Sequence, residues 1–264
     1  MGRRRGERHP GVPTRVHTVS EGLTFGGWDL AMNHCGVVVL DQDGDTVDFR
    51  YLTKQKASAD KAPEQGTYYL PKGSTDDRNM ARLTHHALWT RRCLKDLAPS
   101  YSYVEGYAFG TPKGELTGEC VGAWKLNAYA MGFPFRIIDV ASIKMFATGS
   151  GNGSKEAIMA AVAARWGQGF ARLNKPFVSK MKKNRKTGEM AMSEPPKDAR
   201  QTEEDLCDAY VMARMCWTEW RIRSGLILPS QLEDDAERRV YLRTTKAHPE
   251  NILARPWTER TKAG

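Results

Sequence analysis

The sequence lacks the features of a secreted, disulfide-bonded or membrane-spanning protein. Its five cysteines (Cys35, Cys93, Cys120, Cys207 and Cys216) are scattered, odd in number and form no CxxC pair. This pattern indicates reduced thiols rather than disulfides or a zinc site. No apolar run is long enough to span a bilayer. The N-terminus is rich in arginine but is not followed by the apolar segment of a secretory signal. These absences predict a cytoplasmic protein.

Basic residues outnumber acidic ones. The 264-residue chain has 40 Lys and Arg against 31 Asp and Glu, which gives a net charge of +9 and a pI near 9.3. Such a surplus favours a polyanionic partner such as nucleic acid, although solubility alone would also account for it. Hydrophobic residues make up 40% of the chain, which is enough for a substantial core. The length suits one domain with extensions, or two small domains.

The order of predicted elements indicates an α/β fold. Apolar runs bounded by turn residues predict strands, and an apolar face repeating at helical spacing predicts helices. Ser74, with Asp77 three residues later, predicts a capping box at the first helix. We predict a mixed sheet with helices on its faces. The predicted strands are Leu23–Ala31, His34–Asp41, Thr46–Thr53, Tyr101–Gly106 and Phe135–Val140. The predicted helices begin at Ser74, Glu115, Ala141, Lys155 and Glu203, with a last one at Gln231–Thr244.

Three segments fall outside this regular pattern. Residues 1–22 are basic and rich in Gly and Pro, which predicts a disordered arm. Residues 167–201 lack periodicity and carry a basic cluster; we expect an insertion inside a domain spanning 23–225. Residues 226–264 form a C-terminal extension. The basic cluster suits either a solvated loop or phosphate contacts, and its members are Lys180, Lys182, Lys183, Arg185 and Lys186.

Four acidic residues stand at strand ends or on one helix face: Asp29, Glu105, Asp205 and Asp208. Asp205 and Asp208 lie one turn apart, so they project from the same side of their helix. Each acid also has a structural interpretation. Asp29 could cap a turn, and Glu105 could pair with an arginine. Asp205 and Asp208 could be solvated acids that the helix dipole favours near the start of a helix. Together they predict a carboxylate site for Mg²⁺ or Mn²⁺. Two such ions would activate water and stabilise the leaving oxygen of a phosphodiester.

Four motifs resemble those of RuvC-type Holliday-junction resolvases, in the same order. They are GWDLAMNHCGVVVL around Asp29, YVEGYAFG around Glu105, IKMFATGSGNGSK, and EEDLCDAYVMAR with Asp205 and Asp208. The third and fourth are the more specific. The resemblance covers residues 23–225 and implies a ribonuclease-H-like five-stranded mixed sheet. Because cellular resolvases are shorter, it points to a phage-type member acting in the cytoplasm of a bacterium or an infected cell.

The resemblance also implies an activity: a homodimer that makes paired, Mg²⁺-dependent nicks in four-way DNA junctions. By position, Asp29, Glu105, Asp205 and Asp208 would be the catalytic metal ligands, for two Mg²⁺ ions or for Mn²⁺ in their place. Lys144 and Lys155 would match basic DNA-contacting positions. The family's aromatic residue three positions after Glu105 is Ala108 here, so Tyr107 or Phe109 would take over its stacking role.

Two other functions remain open from the sequence. One is another ribonuclease-H-like nuclease, acting on flaps or RNA/DNA hybrids. The other is a non-catalytic DNA-binding protein that has kept the fold. A nucleotide cofactor is not expected, because in GSGNGSK the lysine, Lys155, is followed by Glu156 and the motif is not GxxxxGK[ST]. Five tryptophans are expected in the core or at a dimer interface: Trp89, Trp124, Trp166, Trp217 and Trp220. We assign no role to His34, His85 or His86.

Overall fold

The computed structural model describes residues 22–55, 67–106, 114–170, 181–183, 190–192, 197–232, 234–244 and 250–260. The strands are β1 (Phe25–Leu30), β2 (His34–Leu40), β3 (Thr46–Gln55), β4 (Thr67–Tyr69), β5 (Tyr101–Glu105), β6 (Phe135–Ile138), β7 (Met181–Lys183) and β8 (Met190–Met192). The helices are α1 (Thr75–Leu97), α2 (Gly114–Met131), α3 (Val140–Thr148), α4 (Lys155–Trp166), α5 (Lys197–Arg223) and α6 (Asp235–Leu242), with a 3₁₀ turn at Pro229–Gln231.

The main sheet has six strands in the order β4-β3-β2-β1-β5-β6. Strand β2 runs antiparallel to β1 and β3, whereas β1, β5 and β6 are mutually parallel. The hairpin between β2 and β3 turns where Asp41 accepts hydrogen bonds from the backbone N–H groups of Asp43 and Asp45. This order and these directions confirm the predicted ribonuclease-H-like mixed sheet. The short edge strand β4 is a sixth strand, which the sequence did not predict.

Helices cover both faces of the sheet, so β1 is buried along its whole length. On one face, Trp28 and Val37 pack with Leu94 of α1 and Trp124 of α2. On the other face, α5 crosses the sheet, joined by α3, α4 and α6 around a core that includes Phe25. None of the helices in the described part of the chain is long and apolar enough to cross a membrane.

Two strand glycines let α5 approach the sheet closely. A Cβ atom on Gly27 would lie 1.9 Å from the carbonyl oxygen of Ala209 and 2.3 Å from the amide nitrogen of Ala213. A Cβ on Gly36 would lie 2.8 Å from the carbonyl oxygen of Asp205. Glycine inside a strand permits such close backbone approach. These glycines therefore fix how α5 sits on β1 and β2.

Most predicted boundaries hold to within two residues, and the capping box of Ser74 and Asp77 is present. Two predictions were wrong. Helix α5 begins at Lys197 rather than at the predicted Glu203, and Thr202 lies inside it with its hydroxyl 3.3 Å from that of Thr53. The last helix, predicted at Gln231–Thr244, is shorter in the structure, where α6 spans Asp235–Leu242. The segment 167–201 contains a small antiparallel hairpin, β7–β8, as well as the start of α5.

A buried charge network joins the far end of α5 to the sheet and to the C-terminal segment. Glu219 is fully buried and accepts two hydrogen bonds from Arg136, at 2.9 and 2.7 Å, and one from Arg223, at 2.6 Å. The Tyr103 hydroxyl donates to the same carboxylate. The Arg136 guanidinium also stacks over Trp257 at 4.9 Å. The C-terminal segment is thereby held against the edge of the sheet.

Candidate active site

The two strand acids meet at one edge of the sheet. Asp29 follows Trp28 near the end of β1, and Glu105 follows Val104 at the end of the parallel strand β5. Trp28 and Val104 are paired in register, and the carboxyl ends of parallel strands lie at the same edge. The fold therefore brings Asp29 and Glu105 to neighbouring positions, although they are far apart in the sequence.

The two helix acids reach the same edge because α5 crosses β1 and β2. Asp205 and Asp208 are both buried, with 1% and 8% of their surface exposed. The close approach of Gly36 to the backbone of Asp205 sets the height of this turn above the sheet. A side chain at position 36 would push the turn, and both carboxylates, away from the strand acids.

All four acids line one cavity of about 260 Å³. Lys144 from α3 and Lys155 from α4 line it as well, as does His34 from the start of β2. Its apolar wall is supplied by Ala31, Val140, Ile143 and Ile158. The structure thus gathers four carboxyl groups from three distant parts of the chain, with two ammonium groups beside them.

Burial and neighbouring charges raise the pKa values of three of these carboxyl groups, those of Asp29, Glu105 and Asp208. Burial, followed by the charges of Glu105, Asp205 and Asp208, raises the pKa of Asp29 well above its ordinary value. Burial and the charge of Asp208 raise the pKa of Glu105 to about 7. For Asp208, burial outweighs the favourable charge of Lys155 and raises the pKa to about 6. If all four acids were ionised, their charge would exceed that of the two lysines at the cavity.

The polar contacts in the cavity centre on Asp205. The Gln201 amide donates a hydrogen bond of 2.9 Å to its Oδ1, and Nζ of Lys155 lies 3.9 Å from the same oxygen. Nζ of Lys155 also lies 3.5 Å from Oε2 of Glu204. Burial lowers the pKa of Lys155, but the surrounding carboxylates, Asp29 first, outweigh that effect and raise it. Lys155 is accordingly a permanent cation at the cavity wall.

His34 makes the closest approach to Asp205, with Nδ1 lying 2.7 Å from Oδ2. The angles do not meet the requirements of a hydrogen bond, so both atoms are buried without a hydrogen-bond partner. Among the described residues, no three His, Cys, Asp or Glu side chains are arranged to hold a metal ion together. The donor chemistry nevertheless fits a hard divalent cation, because such a cation takes carboxylate oxygens and would stabilise the ionised forms of these crowded acids.

Sequence reasoning missed three participants in this site. It assigned neither His34 nor Glu204 to the site, and it did not use Gly36. The signal for Gly36 was present, since a lone glycine within a strand indicates close backbone approach. Nothing in the sequence indicated that His34 would face Asp205, because that contact depends on how α5 crosses the sheet.

The predicted DNA-binding residues divide into two groups. Lys144 and Lys155 lie at the cavity. The side chains of the other predicted residues are not described by the structure. Tyr107, Phe109, Lys180, Arg185 and Lys186 lie outside the described residues altogether, and the described part of Lys182 and Lys183 is the backbone of β7 alone.

The chain matches no protein-family model and no curated protein sequence. It is similar to two solved structures from Thermus thermophilus. One is a RuvC structure with 18% sequence identity and a TM-score of 0.44, covering 77% of this chain and 97% of that one. The other is RuvC in complex with a Holliday junction substrate, with 14% identity and a TM-score of 0.45, covering 77% of this chain and 96% of that one. The assignment of the fold rests on the strand order and strand directions given above.

Proposed function

We propose that this protein is a metal-dependent endonuclease that nicks branched DNA, with the four-way junction as its substrate. The observation that carries the proposal is the gathering of Asp29, Glu105, Asp205 and Asp208 around one cavity with lysines at its wall. Carboxyl groups with raised pKa values, gathered from separate elements in one cavity, are typical of functional sites.

In this proposal the four acids are the ligands of two Mg²⁺ ions, for which Mn²⁺ can substitute. Bound there, the ions would activate a water molecule for in-line attack on a phosphodiester and stabilise the leaving oxygen. The protein's own contribution is to hold the acids in place: β1 and β5 fix the strand pair, and the glycine-mediated packing of α5 fixes the helix pair.

The lysines are proposed to orient the DNA. Lys155 stands in the first turn of α4, where backbone N–H groups and the helix dipole also favour a phosphate. Lys144 faces the same cavity from α3. These contacts would give affinity and register rather than sequence choice. We propose the same role for the basic residues of the 180–186 cluster, and a stacking role at the junction for Tyr107 or Phe109.

We further propose that the protein acts as a homodimer, since a four-way junction offers two equivalent strands and resolution requires a nick in each. The proposals of a homodimer and of junction selectivity come from the motif resemblance. The geometry of the cavity supports the hydrolysis of a phosphodiester. A flap and an RNA/DNA hybrid offer no such pair of equivalent strands.

The test is a cleavage assay with end-labelled junction, flap, hybrid and linear duplex substrates in Mg²⁺. Wild-type protein should cut the junction preferentially. Asp208→Asn should lower cleavage by at least about 1000-fold, since the metal site supplies several kcal/mol of transition-state stabilisation, while junction binding in EDTA persists. The matched control is Asp76→Asn, at an exposed acid in the first turn of α1, which should cleave normally. Equal cutting of all four substrates would refute junction selectivity, and full activity of pure Asp208→Asn would refute the site.

A further inference from the structure

A second cavity, of about 560 Å³, lies at the opposite ends of the helices that build the acid cavity. Its lining includes Arg165 and Trp166 at the end of α4, and Arg214, Trp217 and Arg221 in the second half of α5. We call it the Arg–Trp cleft. Lys155 and Arg165 lie on the same helix, about 15 Å apart along its axis. The cleft is therefore separate from the acid cavity but within the reach of one bound DNA molecule.

The guanidinium groups in the cleft lie over indole rings. Arg214 lies 4.5 Å and Arg221 4.4 Å from the ring centre of Trp217. Because Arg214 and Arg221 are two helical turns apart with Trp217 between them, the three side chains form a ladder along α5. Arg165 stacks in the same way over Trp166, at 4.7 Å. Stacking fixes the planes of the guanidinium groups and leaves their N–H edges available to an acceptor.

The ladder itself is fixed in place by the hairpin turn between β2 and β3. Trp217 donates its indole N–H to the carbonyl oxygen of Gln42 at 2.9 Å, and Arg214 donates to that of Gly44 at 3.0 Å. Gly44 has a φ of +88° and packs against both side chains. The side chain of Arg214 is therefore held by the turn, whereas the guanidinium group of Arg221 makes no hydrogen bond to the described residues.

The charge in the cleft is only partly compensated. Arg165 pairs with Glu237, and lies 3.8 Å from Asp234. In the part of the chain that the structure describes, neither Arg214 nor Arg221 forms an ion pair; for Arg214 the charges of Glu237 and Asp45 act only at longer range. Two arginines without carboxylate partners leave the cleft with uncompensated positive charge. Such a cleft favours the binding of an anion from outside the protein.

We propose that the Arg–Trp cleft binds backbone phosphates of nucleic acid, as a contact separate from the acid cavity. A guanidinium group presents two N–H donors in the geometry that a phosphate accepts. Base stacking is not the means of recognition, because the indole of Trp217 already has guanidinium groups against it. The choice of DNA as the source of the phosphate rests on the proposed function.

The test compares Arg221→Gln with Arg92→Gln in the full-length protein. Both variants lose one positive charge, but Arg92 is exposed on α1, which packs on the opposite face of the sheet. Binding of labelled junction DNA is measured in EDTA over a range of salt concentrations. We expect Arg221→Gln to bind about three- to tenfold more weakly than Arg92→Gln, and its salt dependence to be less steep by about one unit. Thermal melting of both variants confirms that each is folded.

Three results would overturn the proposal. Equal affinities and equal salt dependence in the two variants would show that only overall charge matters. If the loss of DNA affinity in Arg221→Gln disappears when it is compared with a variant of equal thermal stability, Arg221 has a role in folding rather than in binding. In a second experiment, inorganic phosphate is titrated into the wild type and the variant, and the heat of binding is measured by calorimetry. If Arg221→Gln abolishes the heat of phosphate binding but leaves DNA affinity unchanged, the cleft binds a small phosphate ligand rather than DNA. Since binding is measured in EDTA, absence of cleavage by the wild-type protein would refute the proposed nuclease function without affecting this comparison.

Discussion

Helix α5 carries two buried acidic sites that differ in how their charge is compensated. In its second half, Glu219 is enclosed by two guanidinium groups, those of Arg136 and Arg223, and by the Tyr103 hydroxyl. Every oxygen of this carboxylate has a donor. The charge is therefore neutralised within the protein, and the site joins the helix, the sheet and the C-terminal segment.

The first half of the same helix shows the opposite balance. There Asp208 and Asp205 share a cavity with two further acids and only two lysines, and burial together with the neighbouring acids raises the pKa values of Asp208 and Glu105. The comparison teaches that burial alone does not distinguish a structural acid from a functional one. The distinguishing feature is whether the protein itself supplies the compensating charge, or leaves it to a cation from outside.

The largest expected effect comes from breaking the compensated site. Glu219→Gln should lower the free energy of unfolding by about 3–5 kcal/mol, because it leaves the buried guanidinium of Arg136 without its counter-charge. Urea unfolding measures the loss. The control is Asp235→Asn, which removes an exposed ion pair with Arg238 and should change stability by less than about 0.5 kcal/mol. A loss below about 1 kcal/mol for Glu219→Gln would show that the two sites do not differ as described.

The next effect comes from moving the helix that carries both sites. Gly27→Ala places a methyl group 1.9 Å from the carbonyl oxygen of Ala209, so α5 must shift. We expect a loss of about 3 kcal/mol or more in stability, together with reduced junction cleavage. Gly122→Ala is the control, because that position in α2 has no atom within 4 Å of the added carbon, and it should stabilise the protein by about 0.5–1 kcal/mol. Unchanged stability of Gly27→Ala would refute the close packing.

Much of the fold was predictable because local signals agreed with the tertiary structure. Alternating and continuous apolar runs located β1, β2, β3, β5 and β6, and Ser74 with Asp77 located the start of α1. The same local reasoning failed at α5, where Thr202 looks like an N-terminal cap. Its hydroxyl instead meets that of Thr53, a partner 149 positions away in the chain. Contacts of that range leave no local pattern in the sequence.

The site was predictable in part for the same reason. The strand order follows from the sequence of elements, and it brings Asp29 and Glu105 to one edge. The contribution of Asp205 and Asp208 depends on where α5 crosses the sheet, which is set by Gly27 and Gly36. The compensation of Glu219 by Arg136 and Arg223 was not predicted at all, because side chains from a strand and a helix meet there only in the folded protein.

The smallest of these effects tests the uncompensated site directly, through pH. A carboxyl group whose pKa is raised by folding binds its proton more tightly in the folded than in the unfolded protein. Stability should therefore fall as pH rises from about 4 through the raised pKa values, which are about 6 for Asp208 and about 7 for Glu105. In EDTA, Asp208→Asn should match the wild type at pH 4 and exceed it by about 2 kcal/mol at pH 8, since the amide carries no charge to bury.

Urea unfolding at both pH values measures this difference, with Asp76→Asn as an exposed control that should follow the wild type. Added Mg²⁺ at pH 8 should stabilise the wild type more than Asp208→Asn, because binding to the folded protein alone raises its stability. If Asp208→Asn is instead less stable than the wild type at pH 8 in EDTA, the protein itself compensates this carboxylate, as it does Glu219. The contrast between the two halves of α5 would then be lost, and the metal-dependent nuclease would lose its main physical support.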